Sequence, residues 1–178
     1  MSVEISKFLS FVLRHDPASI GLHLDEQGWA SVDELLAKAG ASGRQLDRET
    51  LLNIVANSDK QRFTLSVDQT RIRAAQGHSV KVDLGLAPAV PPPRLFHGTA
   101  DRFIDSILRD GLRAQSRQQV HLSHDEPTAI AVGSRHGRPV VLSVDASGMH
   151  RDGYAFYQAD NGVWLTNAVP AQYLSRTP

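Results

Sequence analysis

The sequence of 178 residues contains no cysteine, which excludes disulfides, thiolate metal sites and cysteine nucleophiles. It also has no run of about 18 apolar residues, the length that a membrane-spanning helix needs. The N-terminus lacks the basic segment followed by an apolar one that marks a signal peptide. We therefore expect a cytoplasmic protein with no membrane partner.

Neither sign of charge is in excess, since 19 Lys and Arg balance 19 Asp and Glu. This balance argues against a protein that coats nucleic acid by bulk attraction, so an anionic ligand must meet a local cluster of cations. Most of the cations are arginines, whose rigid fork suits bidentate contacts with phosphate. The acidic and histidine residues show no metal-ligand spacing, and we expect no bound metal.

An amphipathic helix is predicted near the N-terminus. Its apolar residues recur at i, i+3, i+4 and i+7 as Ile5, Phe8, Leu9 and Val12. Pro17 ends the pattern, because proline lacks the N–H that a further turn requires. Arg14 and His15 then form the last turn, and the spacing places His15 along the buried stripe. Cations are common at helix C-termini for structural reasons alone, so this pair needs support from elsewhere in the chain.

The rest of the first half predicts two more helices and a hairpin. Ser31 and Glu34 form a capping box at the start of a second helix, and Asp47 can cap a third. Alternating residues then predict strands at 62–67 and 71–74. Three helices followed by a hairpin is the order of a winged-helix domain, a fold that often binds nucleic acid without proving that function.

A proline-rich segment divides the chain. Four of the six residues in 88–93 are proline, which favours an extended, semi-rigid connector that we expect to be an exposed hinge. We therefore predict a first domain at 1–86, a linker at 87–93 and a second domain at 94–178.

The second half predicts an α+β domain with an antiparallel or mixed sheet. Strands are predicted at 95–99, 120–123 and 139–144, with a tight hairpin turn at Asn161-Gly162. One helix is predicted around 103–109, ended by Gly111, and another from a capping box of Ser123 and Glu126 to Gly137.

Three polar motifs in this half are candidates for ligand binding. His97-Gly98-Thr99 sets an imidazole and a hydroxyl beside a glycine at a strand end, where backbone can approach a ligand. His121 and Ser123 share a second strand, and Asn161-Gly162-Val163 precedes a third. Each motif is unspecific alone, and no glycine-rich nucleotide loop of the usual kind is present.

Seven motifs spread over nearly the whole chain resemble those of the RNA 2′-phosphotransferases, in the same order. These are NAD-dependent enzymes known from tRNA splicing and also present in bacteria. The motifs are 6–15, Gly28-Trp29, 59–63, 72–79, His97-Gly98-Thr99, 120–123 and 161–165.

The resemblance implies a winged-helix lobe, an ADP-ribosyltransferase-like mixed β lobe that binds NAD, and a cleft between them where an internal RNA 2′-phosphate is removed. The implied catalytic set is Arg14, His15, Arg62 and Arg117, with Arg113 the nearest competitor of the last. His97, Gly98 and Thr99 would contact the adenosine side of NAD, and His121, Ser123, Asn161, Gly162 and Val163 the nicotinamide ribose. Lys60 would bind substrate, and Gln76, Gly77, His78 and Ser79 could contact NAD, RNA or the lobe interface.

The chemistry that the resemblance implies has two steps. A phosphate monoester is anionic at neutral pH, because its second pKa is about 6, so it can attack NAD without a general base. The first step would release nicotinamide and form RNA-2′-phospho-ADP-ribose. In the second, the ribose 2″-hydroxyl would attack phosphorus, giving 2′-hydroxyl RNA and ADP-ribose 1″,2″-cyclic phosphate. We expect the enzyme to act as a monomer.

Two other functions fit parts of the sequence. An ADP-ribosyltransferase that caps phosphorylated RNA or DNA ends would stop after the first step. A non-catalytic winged-helix module would need a basic recognition helix, yet the third helix region balances Arg44 and Arg48 against Asp47 and Glu49. Protein-modifying ADP-ribosyltransferases mostly carry a glutamate near the reacting ribose, and its absence from 160–163 favours a phosphate acceptor.

Overall fold

The computed structural model describes residues 2–58, 61–115 and 117–177. It divides into two compact units, the first ending at Gly85 and the second beginning at Leu86. The helices are α1 (Ser2–Arg14), α2 (Val32–Ala41), α3 (Arg48–Ala56), α4 (Ile104–Asp110), α5 (Glu126–Gly133) and α6 (Ala146–Arg151). None of the helices in these described ranges is long and apolar enough to cross a membrane.

In the described part of the chain, eleven short strands accompany the helices and make this an α+β protein, as predicted. Those of the first unit are β1 (Ala30–Ser31), β2 (Phe63–Leu65) and β3 (Arg71–Ala74). Those of the second are β4 (Leu95–Ala100), β5 (Leu112–Arg113), β6 (Val120–Leu122), β7 (Pro139–Val144), β8 (Tyr157–Gln158), β9 (Trp164–Thr166), β10 (Ala168–Val169) and β11 (Leu174–Arg176).

The helices of the first unit begin and end at the residues that the sequence marks. Helix α1 stops at Arg14, and Asp16 then caps a 3₁₀ turn, Pro17–Ile20, by accepting a hydrogen bond from Ser19 N. Ser31 Oγ accepts from Glu34 N at the start of α2. The Glu34 carboxylate does not complete the capping box, because it accepts hydrogen bonds from His23 instead.

A three-stranded antiparallel sheet of order β1-β3-β2 closes this unit. The predicted hairpin pairs Thr64 with Arg73, but its first strand is shorter than expected. Strand β1 was not predicted, since two residues are too few to show a period, and it pairs Ala30 with Ile72. The core of the unit forms between these strands and the helices. Its fully buried members include Leu9, Val12, Leu13, Leu35, Leu51 and Ile72.

The second unit contains two three-stranded sheets, ordered β11-β7-β4 and β6-β9-β8, and a β10-β5 pair. Every pairing among its described strands is antiparallel. Of the two predicted forms, antiparallel or mixed, the described strands therefore show the antiparallel one, and the mixed sheet that the resemblance implied is not found among them. The reason is topological. Helices α4, α5 and α6 each connect strands of different sheets, which leaves no parallel crossover within one sheet.

Helix α5 begins later and ends earlier than predicted. Its N-cap is Asp125, whose side chain accepts from Thr128 N, and its last residue is Gly133, four residues before Gly137. Ser123 cannot serve as the cap, because its backbone pairs with Phe96 through two hydrogen bonds of 2.8 Å. This bridge joins the β4 and β6 sheets.

The proline-rich segment is fastened to the second unit, in contrast to the exposed hinge that we expected. Ala89 N donates to Phe156 O at 2.8 Å, and Pro93 O accepts from Ser147 N at 3.1 Å. Pro91 is buried between these two points. We call this segment, residues 88–93, the proline strap. Prolines suit it because they need no partner for an N–H and favour an extended backbone.

Candidate active site

The first group of candidate residues lies where α1 ends. Arg14 is the last helical residue and is half-buried, whereas His15 is exposed. The prediction that His15 lies along the buried stripe is therefore wrong. The buried face of α1 is formed by Leu9, Val12 and Leu13. His15 lies one turn after Phe11, which is exposed, and its N–H donates to Phe11 O, so it continues the exposed side of the helix.

The segment 76–79 folds back against this helix end. Arg14 O accepts hydrogen bonds from Ser79 N at 2.9 Å and from Val80 N at 3.3 Å. Ser79 Oγ lies 2.8 Å from His15 Nδ1. Two motifs separated by more than sixty positions thus form one structure. The predicted contacts of residues 76–79 with NAD, RNA or the lobe interface stay predictions.

Gly77 gives this loop its shape. Its φ of +90° is a conformation that side chains disfavour. A Cβ at Gly77 would lie 3.5 Å from Arg14 Nε, which is ordinary contact distance. The backbone angle rather than lack of space therefore requires glycine, and the loop packs directly on the Arg14 side chain.

His78, the next residue of the loop, is buried, with 2% of its surface exposed. Burial lowers its pKa to about 4, and the positive charges of Arg14, Arg73 and His15 add to the effect. His78 is therefore neutral at pH 7. Within the described residues its Nε2 atom has no hydrogen-bond partner, and neither has Gln76 Oε1.

Arg62 lies beside the same loop. Its carbonyl accepts from Ala75 N at 2.9 Å, immediately before Gln76, and its N–H donates to Ser58 Oγ at 3.2 Å. The preceding residue, Gln61, has a left-handed backbone with φ of 45°, which is uncommon outside glycine. Lys60 lies outside the described residues.

Sequence reasoning missed Arg73, whose positive charge acts on the buried His78 ring. Its buried guanidinium donates to Leu84 O at 3.0 Å and stacks 4.5 Å from the ring centre of Trp29. The signal for it was available in the strand period, which places Arg71 and Arg73 on one face. Both guanidiniums lie over Trp29.

In the second unit, the bridge between β4 and β6 brings two candidate motifs together. Because Phe96 pairs with Ser123, the adjacent His97 reaches across the gap, and its Nδ1 lies 3.1 Å from His121 O. A carbonyl can only accept, so Nδ1 of His97 carries the proton and its Nε2 is a hydrogen-bond acceptor. Burial lowers the pKa of His97, which keeps the ring neutral.

Arg117 determines the tautomer of the neighbouring histidine. Its Nη1 lies 2.6 Å from His121 Nδ1. Since arginine only donates, that nitrogen is the acceptor and the proton of the neutral ring is on Nε2. The two histidines thus differ: His97 presents an acceptor at Nε2 and His121 a donor.

Arg117 rather than its competitor Arg113 belongs to this group. Arg113 lies in β5, opposite Ala168, whereas Arg117 contacts His121. Arg117 follows a turn in which its N–H donates to Ala114 O, and Gln115 has a left-handed φ of 57°. A residue with a left-handed backbone thus lies shortly before each of the two arginines in the sequence, Gln61 before Arg62 and Gln115 before Arg117.

The predicted turn at Asn161-Gly162 is present between β8 and β9. Asn161 Oδ1 accepts from Val163 N at 3.2 Å, an Asx turn, and Gly162 has φ of 89°. Strands β6 and β9 pair Leu122 with Trp164. Ser123 and Val163 each lie one residue beyond this pair, so the turn reaches the same end of the sheet as Ser123.

Gly98 has a packing role that the sequence did not reveal. A Cβ there would overlap the carbonyl oxygen of Ala129 in α5, and one at Gly133 would lie 2.8 Å from Thr99 O. The two glycines let helix and strand meet at backbone distance. Strand alternation puts His97 and Thr99 on the face opposite Gly98.

Comparisons with known proteins agree along nearly the whole chain. A family model described as "RNA 2'-phosphotransferase, Tpt1 / KptA family" matches residues 1–168. A probable RNA 2′-phosphotransferase of Agrobacterium fabrum is 68% identical over 175 residues, covering 98% of this chain and 94% of that protein. Proteins with the same description from Pectobacterium carotovorum and Flavobacterium johnsoniae are 57% and 53% identical, covering 98% and 96% of this chain and 95% and 94% of theirs.

Proposed function

Because the chain belongs to the RNA 2′-phosphotransferase, Tpt1 / KptA family, we propose that it removes an internal 2′-phosphate from RNA with NAD as co-substrate. The observation that carries the proposal is a chemical contrast. The first unit gathers cations around one loop, and the second holds two neutral histidines with opposite hydrogen-bonding character at Nε2. The first suits a phosphate, and the second suits the neutral groups of a nucleotide.

The residues of the second unit fit NAD by their donors and acceptors. The adenine amino group donates hydrogen bonds, whereas the ribose hydroxyls and the nicotinamide carboxamide both donate and accept them, so NAD needs neutral partners of both kinds. His97 offers an acceptor, His121 a donor, and Ser123 and Asn161 offer both. Arg117 adds a cation for the diphosphate or the transferred phosphate.

The first step needs positioning above all. The RNA 2′-phosphate is already a charged nucleophile at neutral pH, so no side chain has to remove a proton. His97, Thr99, His121 and Ser123 would orient NAD, and nicotinamide would leave as a neutral molecule. Holding the two reactants in line is worth several orders of magnitude in rate.

The second step needs charge stabilisation. When the ribose 2″-hydroxyl attacks phosphorus, negative charge grows on the phosphoryl oxygens, and Arg14, Arg62 and Arg117 would stabilise it. His15 would exchange the proton with the attacking or departing oxygen. The products would be 2′-hydroxyl RNA, ADP-ribose 1″,2″-cyclic phosphate and, from the first step, nicotinamide.

The order of elements supports the two proposed lobe types. The first unit runs α1, β1, α2, α3, β2, β3, with its sheet ordered β1-β3-β2, which is consistent with a winged helix. The second presents its candidate NAD ligands from short antiparallel strands and one hairpin turn, as an ADP-ribosyltransferase-like lobe would.

Incubation with a short RNA carrying one internal 2′-phosphate tests the proposal, with and without NAD and with a metal chelator present. We expect 2′-hydroxyl RNA, nicotinamide and ADP-ribose cyclic phosphate in equal amounts, only with NAD and unchanged by the chelator. Full activity without NAD would contradict the proposal. A stable ADP-ribosylated RNA end, with no loss of the 2′-phosphate, would identify an end-capping enzyme instead.

A further inference from the structure

We infer that Ser79 is a positioning residue that holds the His15 imidazole for proton transfer, and that it contacts neither RNA nor NAD. This inference rests on the proposed function, because it assigns His15 its partner in the second step. The observation behind it is the 2.8 Å contact between Ser79 Oγ and His15 Nδ1. The side chains come from positions 64 residues apart.

The backbone fixes both ends of this contact. Ser79 N and Val80 N donate to Arg14 O, the carbonyl of the residue that precedes His15. His15 N in turn donates to Phe11 O at 2.9 Å, in the last turn of α1. Backbone hydrogen bonds thus join the loop to the helix end without help from the Ser79 and His15 side chains. The backbone of both residues is therefore fixed, and the hydroxyl and the ring are held near each other.

Such a contact matters because His15 is exposed at the end of α1, and a hydrogen bond reduces the number of rotamers that an exposed ring samples. When Ser79 Oγ accepts a hydrogen bond from Nδ1–H, Nδ1 carries its proton both in the imidazolium and in the neutral ring whose Nε2 is unprotonated. The hydroxyl therefore keeps hold of the ring in both protonation states. Nε2, on the other edge of the ring, is then the nitrogen that exchanges the proton with substrate.

The chain offers matched variants for a test. Ser79→Ala removes the hydroxyl but keeps the backbone bonds to Arg14, and Ser79→Thr keeps the hydroxyl at an exposed position. Ser19→Ala is the control, because Ser19 is also an exposed serine just after α1, and its hydroxyl donates to Asp16 O at 2.8 Å. It does not contact His15 through any hydrogen bond in the described residues.

The first measurement needs no substrate. Nitrogen chemical shifts of the His15 ring in the free protein report its tautomer and hydrogen bonding. We expect Ser79→Ala to change the Nδ1 shift, and Ser79→Thr and Ser19→Ala to leave it as in wild type. An identical His15 spectrum in wild type and Ser79→Ala would overturn the inference, whatever reaction the enzyme catalyses.

The second measurement is a double-mutant cycle on the second step, followed by decay of RNA-2′-phospho-ADP-ribose. Losing a hydrogen bond to a group that becomes charged costs on the order of tenfold, so Ser79→Ala should slow this step by about that factor. In a His15→Ala background the same change should have no further effect, because Ser79 acts only through His15. Multiplicative losses would show that Ser79 acts independently and contradict the inference.

These outcomes separate the inference from the proposed function. If wild type does not convert 2′-phosphorylated RNA with NAD, the proposed function fails, yet the spectra still test the Ser79–His15 contact. If wild type is active but the cycle is additive, the proposed function stands and the role of Ser79 is wrong. A normal KM for RNA in Ser79→Ala is also expected, and a large rise would make Ser79 an RNA ligand.

Discussion

The candidate groups of the two units differ in what holds them in place. In the first, Arg14 and His15 stand at a helix end and are held by a loop that bonds to backbone carbonyls and packs on side chains. In the second, His97 and His121 sit within strands, and their hydrogen-bond partners fix the ring tautomers. The first group consists mainly of cations, whereas the second sets two neutral histidine rings beside a single arginine, Arg117.

This difference indicates a division of work. A cluster of like charges around a loop repels itself when no anion is bound, so it is suited to binding phosphate. The pKa of His78 is lowered mainly by burial, and the charges of Arg14 and Arg73 add to the effect. Neutral rings with fixed donors and acceptors discriminate shape and hydrogen bonding rather than charge. We therefore expect variants of the first unit to affect phosphoryl chemistry and variants of the second to affect NAD use.

The largest effect is expected from removing a charge-stabilising group of the first unit. Arg62→Ala and His15→Ala should each slow formation of 2′-hydroxyl RNA by about 10²- to 10³-fold, the usual cost of one preorganised donor. Arg62→Lys should recover only part of the rate, because an ammonium lacks the planar fork. Product formation at saturating NAD measures this, and wild-type rates in the alanine variants would rule out the assignment.

The next effect concerns the stability of the second unit. Gly98→Ala should destabilise it by about 3 kcal/mol, because the new Cβ meets the backbone of α5, which cannot move as a flexible side chain does. Denaturant unfolding followed by Trp164 fluorescence, in a Trp29→Phe background, isolates this unit. Gly40→Ala in α2 has open space, and it should be neutral or slightly stabilising when unfolding of the first unit is followed by Trp29 fluorescence in a Trp164→Phe background. Equal stability of wild type and Gly98→Ala would refute the packing role.

A smaller effect is expected at the neutral site. His97→Ala should raise the KM for NAD by about tenfold, as expected for one lost hydrogen bond in a buried site. Both chemical steps should slow together at low NAD and recover at high NAD. His150→Ala, an exposed histidine of the same unit, is the control. A rate loss that saturating NAD does not relieve would contradict a role in NAD binding.

The smallest effect is a pH dependence of stability in the first unit. Unfolded chain binds a proton at His78 near pH 6.5, whereas the folded unit binds one only near pH 4. Between these values the unfolded state holds more protons, so stability falls as the pH falls, by at most about 1.4 kcal/mol per pH unit. His78→Gln should flatten the slope of unfolding free energy against pH, and His150→Gln should not. An unchanged slope in His78→Gln would show that His78 is not the group responsible.

The elements of the fold that carry a strong local signal were predictable. Pro17 ends α1, Asp47 caps α3, and Asn161-Gly162 makes the hairpin turn because each acts through its own backbone geometry. Ser123 misled the prediction of α5, since its backbone is committed to a distant strand that no local pattern reveals. The same holds for the proline strap, whose partner is Phe156.

The candidate site likewise combines features that the sequence predicts with features that only the structure shows. Motif order identified His97, His121 and Arg117, but only the structure shows that one hydrogen bond connects each to the next. The contact between Ser79 and His15 could not be predicted, because it depends on where a loop returns after the hairpin. The direction of His15 was predicted wrongly, because the buried face of α1 is centred on Leu9, Val12 and Leu13 and not on Phe8, which is only partly buried.

The most direct test of the division between the units is a single-turnover time course with 2′-phosphorylated RNA and saturating NAD, comparing wild type, His15→Ala and His97→Ala. The quantity measured is the fraction of RNA present as RNA-2′-phospho-ADP-ribose at each time. The intermediate should accumulate in His15→Ala, because the second step slows more than the first, and stay scarce in wild type and His97→Ala. Accumulation in His97→Ala, or an inactive His15→Ala with no intermediate at any time, would contradict the account.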